Sequence, residues 1–71
     1  MDATVERFGA NVRRARLARG WTQEDLAGYS GLAVVQVSRV ERGKREVRLT
    51  TLVRLIRALD MPPAEALEGL I

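Results

Sequence analysis

Glycines at positions 20, 31 and 43 and the pair Pro62–Pro63 cut this 71-residue chain into short segments. Inside those segments the apolar residues recur at helical spacing. Val5, Phe8, Val12 and Ala15 mark one buried face of a first helix. Gly20 is placed to stop it, with Arg19 in the last turn complementing the helix dipole. Thr22 reads as the N-cap of a second helix, with Asp25 at the capping-box position and Leu26 and Ala27 on the inner face. Gly31 keeps that helix short. A third helix is predicted over 33–42, seated by Val37 and Val40 and closed by Gly43. By propensity Val34, Val35 and Val37 also suit a strand, but a single short strand would have no partner elsewhere in the chain. After a basic loop, Leu52, Leu55, Ile56 and Leu59 give a fourth helix a broad apolar stripe. Pro62–Pro63 ends it and opens a fifth of one or two turns at about 63–71, with Pro63 near its first position and Glu65 close behind. The expected fold is all-α, one compact bundle of five short helices in a single domain.

A domain of this size has a thin core and usually needs disulfides, a metal, well-fitted helices or a partner subunit. The chain contains no Cys and no His, which removes disulfides, thiol chemistry and the common zinc-ligand sets. Helix packing and self-association remain. The same absences, with no Gly-rich phosphate loop and acids scattered as caps and surface pairs, argue against an enzyme; no cofactor, metal or small-molecule substrate is expected. Nothing in the chain is long and apolar enough to span a membrane. Met1–Phe8 carries two acids and no apolar stretch, so no secretory signal is read and a cytoplasmic protein is expected.

The charge is unevenly placed. Twelve Lys and Arg stand against nine Asp and Glu, and eleven of the twelve cations are Arg, the side chain suited to forked contacts with phosphate and guanine. Residues 1–20 hold Arg7, Arg13, Arg14, Arg16 and Arg19 against Asp2 and Glu6. Residues 44–49 hold Lys44, Arg45 and Arg48 against Glu46, while the two other stretches are each slightly acidic. Concentration of the excess in two places points to a polyanion more than to an evenly solvated coat.

The spacing of Gln23, Ala27, Gly31, Val37 and Val40 is the most informative pattern. Ala27 must be small where two helices cross steeply, Gly31 permits positive φ in a tight turn, and Val37 and Val40 press the second helix of the pair onto the core. Here the chain resembles the helix-turn-helix family of phage repressors and Cro proteins, including the small controller proteins of restriction–modification systems. The likeness runs from Phe8 to Leu67. It rests on Arg16-Leu-Ala-Arg-Gly-Trp-Thr-Gln-Glu-Asp-Leu-Ala27, Ser38-Arg-Val-Glu-Arg-Gly43 and Leu52-Val-Arg-Leu-Ile-Arg-Ala-Leu59, and Val40–Leu49 resembles the controller subgroup in particular.

The resemblance implies double-stranded DNA as partner, with the helix-turn-helix pair at about 22–42 and its second helix in the major groove. Its base-reading candidates are Ala33, Val34, Val35, Gln36, Ser38 and Arg39. Arg39 suits a forked contact to guanine, Gln36 suits adenine or a phosphate, and the two valines suit thymine methyl groups. Burial of Val34 and Val35 against the second helix or a neighbour is the competing reading. Relatives often carry polar residues at positions 33–35, so shape and water are expected to carry more of the discrimination here. Phosphate contacts are expected from Gln23, Arg42, Lys44, Arg45 and Arg48. Arg13 and Arg14 add long-range attraction or are simply a solvated face. Arg16 and Glu41 match a family ion pair tying the first helix to the end of the third, and Trp21 reads as a lid on the core.

Ala66, Leu67, Leu70 and Ile71 are expected to form a homodimer interface on a C-terminal helix at about 63–71. A two-fold dimer would set two reading helices about 34 Å apart on a near-palindromic site. Fraying of a chain end is the plainer account. Autoregulation and an RNA polymerase contact through Glu24 and Asp25 are also implied by resemblance, though the helix dipole and capping explain both acids equally. Two other functions compete: a helix-turn-helix protein-interaction module, and an antitoxin-type regulator acting with a protein partner.

Overall fold

The structure is a computed structural model that describes residues 3–71; Asp2, counted in the basic N-terminal stretch, and Met1 of the leader reading lie outside the described residues. Five helices follow in order: α1 Thr4–Ala18, α2 Gln23–Ser30, α3 Val34–Arg42, α4 Leu49–Leu59 and α5 Pro63–Ala66. There is no strand among the described residues, so the valine-rich start of α3 is helical. No helix among them is long and apolar enough to cross a membrane.

α1 packs along α3 and also touches α4 and α5, while α2 lies against α3 and α4. One core results. Phe8 and Val12 of α1 meet Leu26 and Ala27 of α2, Val37 and Val40 of α3, Leu55 and Leu59 of α4, Met61 and Ala66. Trp21 covers part of its edge, half-buried and stacked on Tyr29 with ring centroids 4.5 Å apart. The Arg19 guanidinium lies 5.3 Å from the centre of the Trp21 ring and donates to the carbonyl of Leu59.

The boundaries follow local chemistry. Thr22 and Asp25 form a reciprocal capping box: the Thr22 hydroxyl accepts from Asp25 N–H at 3.0 Å and the Asp25 carboxylate accepts from Thr22 N–H at 2.9 Å. Gly31 ends α2 at φ 73°, where its N–H and that of Leu32 both reach the Ala27 carbonyl. That left-handed residue turns the chain from α2 into α3.

One expectation about the last helices, the place of Ala66, needs correction. α4 begins at Leu49, directly after the basic loop at 44–48, with Arg48 as an N-cap that contributes no side-chain hydrogen bond. It ends before the prolines, at Asp60, which takes a left-handed φ of 50° that a short polar side chain tolerates. The C-terminal helix, expected at one or two turns within about 63–71, is a single turn, Pro63–Ala66, followed by turns through Gly69 at φ 81°. Ala66, expected at a dimer interface, is fully buried in the monomer core, and Leu70 is half-buried against it. The short helix places Ala66 inward toward α1, leaving Leu67 and Ile71 as the exposed apolar side chains of the tail.

Candidate nucleic-acid interface

α3 is held by its inner side and free on its outer side. Val37 is fully buried and Val40 nearly so, whereas Val34 and Val35 are 40% and 59% exposed. Val35 is therefore mostly open to solvent, while Val34 is partly covered and partly exposed. Gln36, Arg39 and Arg42 are also exposed, Ala33 is the exposed N-cap, and Ser38 is half-buried at the margin. An open groove lies beside this face, between α3 and the loop into α4, lined by Gln36, Arg39, Arg45, Val47, Arg48 and Thr51.

The seat of α3 on α1 depends on two glycines that spacing alone did not single out for contact. A Cβ on Gly9 would fall onto the Val40 carbonyl oxygen, far inside contact distance, and within 3.1 Å of the Glu41 carbonyl oxygen. Gly43, at φ 62°, closes α3 where a Cβ would fall 2.5 Å from the Glu6 α-carbon. A side chain at either position would lift α3 away from α1. Gly9 had a sequence signal, a costly residue inside a helical pattern next to the buried face.

Beneath the two helices, Arg16 and Glu41 meet in a two-pronged ion pair: Nε to Oε2 at 2.7 Å and NH2 to Oε1 at 3.0 Å. The third guanidinium nitrogen donates to the Trp21 carbonyl at 2.7 Å, so Arg16 ties α1 both to α3 and to the entry of α2. Both side chains are buried, at 9% and 3% exposure. The hydrogen bonds to Glu41 hold the Arg16 guanidinium above its ordinary pKa, against the opposing effect of burial. Gln23, expected at a DNA phosphate, donates one amide hydrogen to Glu41 Oε1 at 3.2 Å. Only its second amide hydrogen and the backbone N–H groups at the start of α2 are left for an anion.

The base-reading candidate Arg39 and the cations expected to meet phosphate are arranged differently. Among the described residues Arg39, Arg42, Lys44, Arg45 and Arg48 form no ion pair and sit exposed around the outer side of α3 and the following loop. Positive charge left unneutralised beside a protruding helix suits a polyanion. Arg14, by contrast, has partners although it is exposed, donating to Asn11 Oδ1 at 3.0 Å and lying 3.9 Å from the Glu68 carboxylate. Asn11 is a buried polar residue that periodicity missed. Its amide donates to the carbonyls of Ala66 at 3.0 Å and Glu68 at 2.9 Å, fastening the C-terminal turns to α1. Asp25 is engaged in its capping box, while Glu24 beside it is exposed.

α4 leaves part of its apolar surface uncovered, including Leu49 and Val53 outside the stripe read from the sequence. Only Leu55 and Leu59 of its stripe are fully buried; Leu52, Val53 and Ile56 are half-buried and Leu49 is 74% exposed. Residues 49, 53 and 56 fall on one helical line, an apolar face incompletely covered by this chain.

Comparison with known proteins agrees with this geometry. The helix-turn-helix family description matches residues 12–65. The transcriptional repressor RghR of Bacillus subtilis is 41% identical over 59 residues, which are 82% of this chain and 44% of that protein, so the chain spans less than half of that relative's length. The crystal structure of the restriction-modification controller protein C.AhdI from Aeromonas hydrophila is similar at 43% identity and a TM-score of 0.83, covering 92% of this chain and 98% of that one. The controller protein C.Esp1396I is similar at 27% identity and a TM-score of 0.86, covering 99% of this chain and 91% of that one.

Proposed function

Because the chain belongs to the helix-turn-helix family of DNA-binding transcriptional regulators, we propose that it is a sequence-specific regulator of double-stranded DNA. It acts as a homodimer on a near-palindromic operator, in the autoregulatory manner of a restriction–modification controller. The observation that carries this reading is the outer side of α3, with Val34, Val35, Gln36 and Arg39 exposed and four further unpaired cations around it. In the groove, Arg39 donates its fork to guanine while Ala33, Val34, Val35 and Ser38 contribute methyl, sugar and water-bridged contacts. Arg42, Lys44, Arg45 and Arg48 hold phosphates, joined by the start of α2 at Gln23.

The whole chain forms one DNA-binding domain, with the helix-turn-helix pair at 23–42 and the C-terminal turns serving the dimer. Pairing draws on the exposed Leu67 and Ile71, with Leu70 behind them, and on the α4 face at Leu49 and Val53. Ala66 has no part in it, being sealed in the core. Glu24, exposed and outside the capping box, is the acid available to RNA polymerase.

Gel-shift titration against a selected duplex across a salt series tests the DNA reading. Four phosphate-holding cations per protomer predict a log–log slope of roughly −7 for a dimer, about −0.9 per phosphate neutralised. A flat response would instead favour a protein-interaction module. Arg39→Ala is expected to lose about 1–3 kcal/mol of base discrimination at one pair per half-site with no change in thermal unfolding, because Arg39 is exposed. Unchanged selectivity in footprinting would remove Arg39 from the reading set. In sedimentation, Leu67→Asp with Ile71→Asp, and separately Leu49→Asp, are expected to move the protein toward monomer. A dimeric mass in both variants would exclude both surfaces.

A further inference from the structure

We propose that Gln36 reads DNA as a hydrogen-bond donor only, and so favours guanine over adenine at its base pair; the inference rests on the DNA-binding reading above. α3 starts at Val34 with Ala33 as its N-cap. A cap residue normally offers a side-chain oxygen to the first turn, and alanine has none. The cap is therefore one-sided. Gln36, three residues on, turns its side-chain oxygen back to the Ala33 N–H, with Oε1 accepting at 2.9 Å. Chemistry fixes the sense of the amide: a backbone N–H pairs with the oxygen and not with the NH2 group.

Gln36 is exposed at the edge of the groove that Arg39 also lines, and among the described residues its amide nitrogen has no other partner. Glutamine recognises adenine by using both ends of its amide, donating to N7 and accepting from N6. The oxygen already accepts from residue 33 while both amide hydrogens are unpaired, so the free hydrogen-bonding capacity of Gln36 is chiefly that of a donor. Guanine presents two neighbouring acceptors, O6 and N7, and no donor on that edge, which is the complement of a donor-only amide. Arg39, one turn on along the same side of α3, is also a pure donor. The two residues ask for acceptors in succession, whereas the apolar residues 33–35 before them ask for none.

Selection of bound sites from a random duplex pool, run with the wild type, Gln36→Glu and Ala33→Pro, tests this. Glutamate keeps the acceptor that caps α3 but has no donor, so melting should be unchanged. The guanine preference should vanish at one pair per half-site, and affinity for the wild-type site should fall about tenfold. Proline removes the N–H that holds Oε1, at a residue whose φ of −76° it can adopt, and should admit adenine at that same pair. The proposal is overturned if the wild type selects adenine where Gln36→Glu erases a preference. It is equally overturned if Gln36→Glu changes no position, or if folded Ala33→Pro retains guanine alone. Should Ala33→Pro fail to fold, the Gln36→Glu arm decides by itself. A wild type that enriches no site and shows no salt dependence sinks the DNA-binding reading itself, whereas an enriched site indifferent to residue 36 sinks only this inference.

Discussion

Arg16→Met is expected to destabilise the fold by about 3–5 kcal/mol, a large share of the ~4–11 kcal/mol that a domain of 71 residues has in total. The methionine fills much of the same space. What it takes away is the partner of Glu41, whose side chain is only 3% exposed, and the donor that satisfies the Trp21 carbonyl. Gln23 is then the one side chain left donating to a buried carboxylate. Urea denaturation of the variant should show a sharply lowered midpoint with an unchanged slope. Arg16→Met combined with Glu41→Leu should recover most of the loss, because neither charge is then stranded. Equal instability of the single and double variants would mean that the pair contributes through packing. The folded-state pKa of Arg16 is raised, so its stabilisation is complete below the unfolded arginine value and is lost only as pH climbs beyond it. Titration of Arg16 therefore leaves stability level through the neutral range.

Gly9→Ala is expected to cost about 2–3 kcal/mol, although alanine is the better helix former by about 1 kcal/mol. The added methyl group would occupy the space of the Val40 carbonyl oxygen, and backbone cannot step aside as a flexible side chain can. Gly28→Ala is the control, since a Cβ there meets nothing within 4 Å in the middle of α2. That variant should gain about 0.5–1 kcal/mol. The opposed signs, read from thermal melts of the two proteins, separate helix propensity from interhelical contact. Gly9→Ala should also weaken DNA binding, because separating α1 from α3 moves the helix that presents Gln36 and Arg39. A melting temperature at or above wild type for Gly9→Ala would mean that the α1–α3 contact leaves room for a methyl group.

Much of the architecture was readable along the chain. Val5, Phe8 and Val12, then Leu26 with Ala27, then Val37 with Val40, repeat at helical intervals, and each set is buried. Thr22 with Asp25 and Gly31 mark boundaries by local chemistry that operates within one turn of helix. The last third was less legible. Leu49 and Val53 share the apolar character of Leu55 and Leu59, and sequence alone does not say which side of an amphipathic helix exceeds the surface available to cover it. Ala66 and Leu67 are neighbours with opposite fates for the same reason.

The chain alone determined the number and order of its helices, the buried side of α3 and the clustering of cations after it, because periodicity, capping and charge are properties of consecutive residues. Tertiary structure decided how those pieces constrain one another. It showed that Gly9 makes room for α3, that Asn11 fastens the C-terminal turns, that Gln23 is partly committed to Glu41, and that α4 keeps an apolar face uncovered. Each of these depends on which distant atoms come within contact or hydrogen-bond distance. A hydrogen bond or a steric clash is decided over a few tenths of an ångström, and only the packed fold fixes distances that finely.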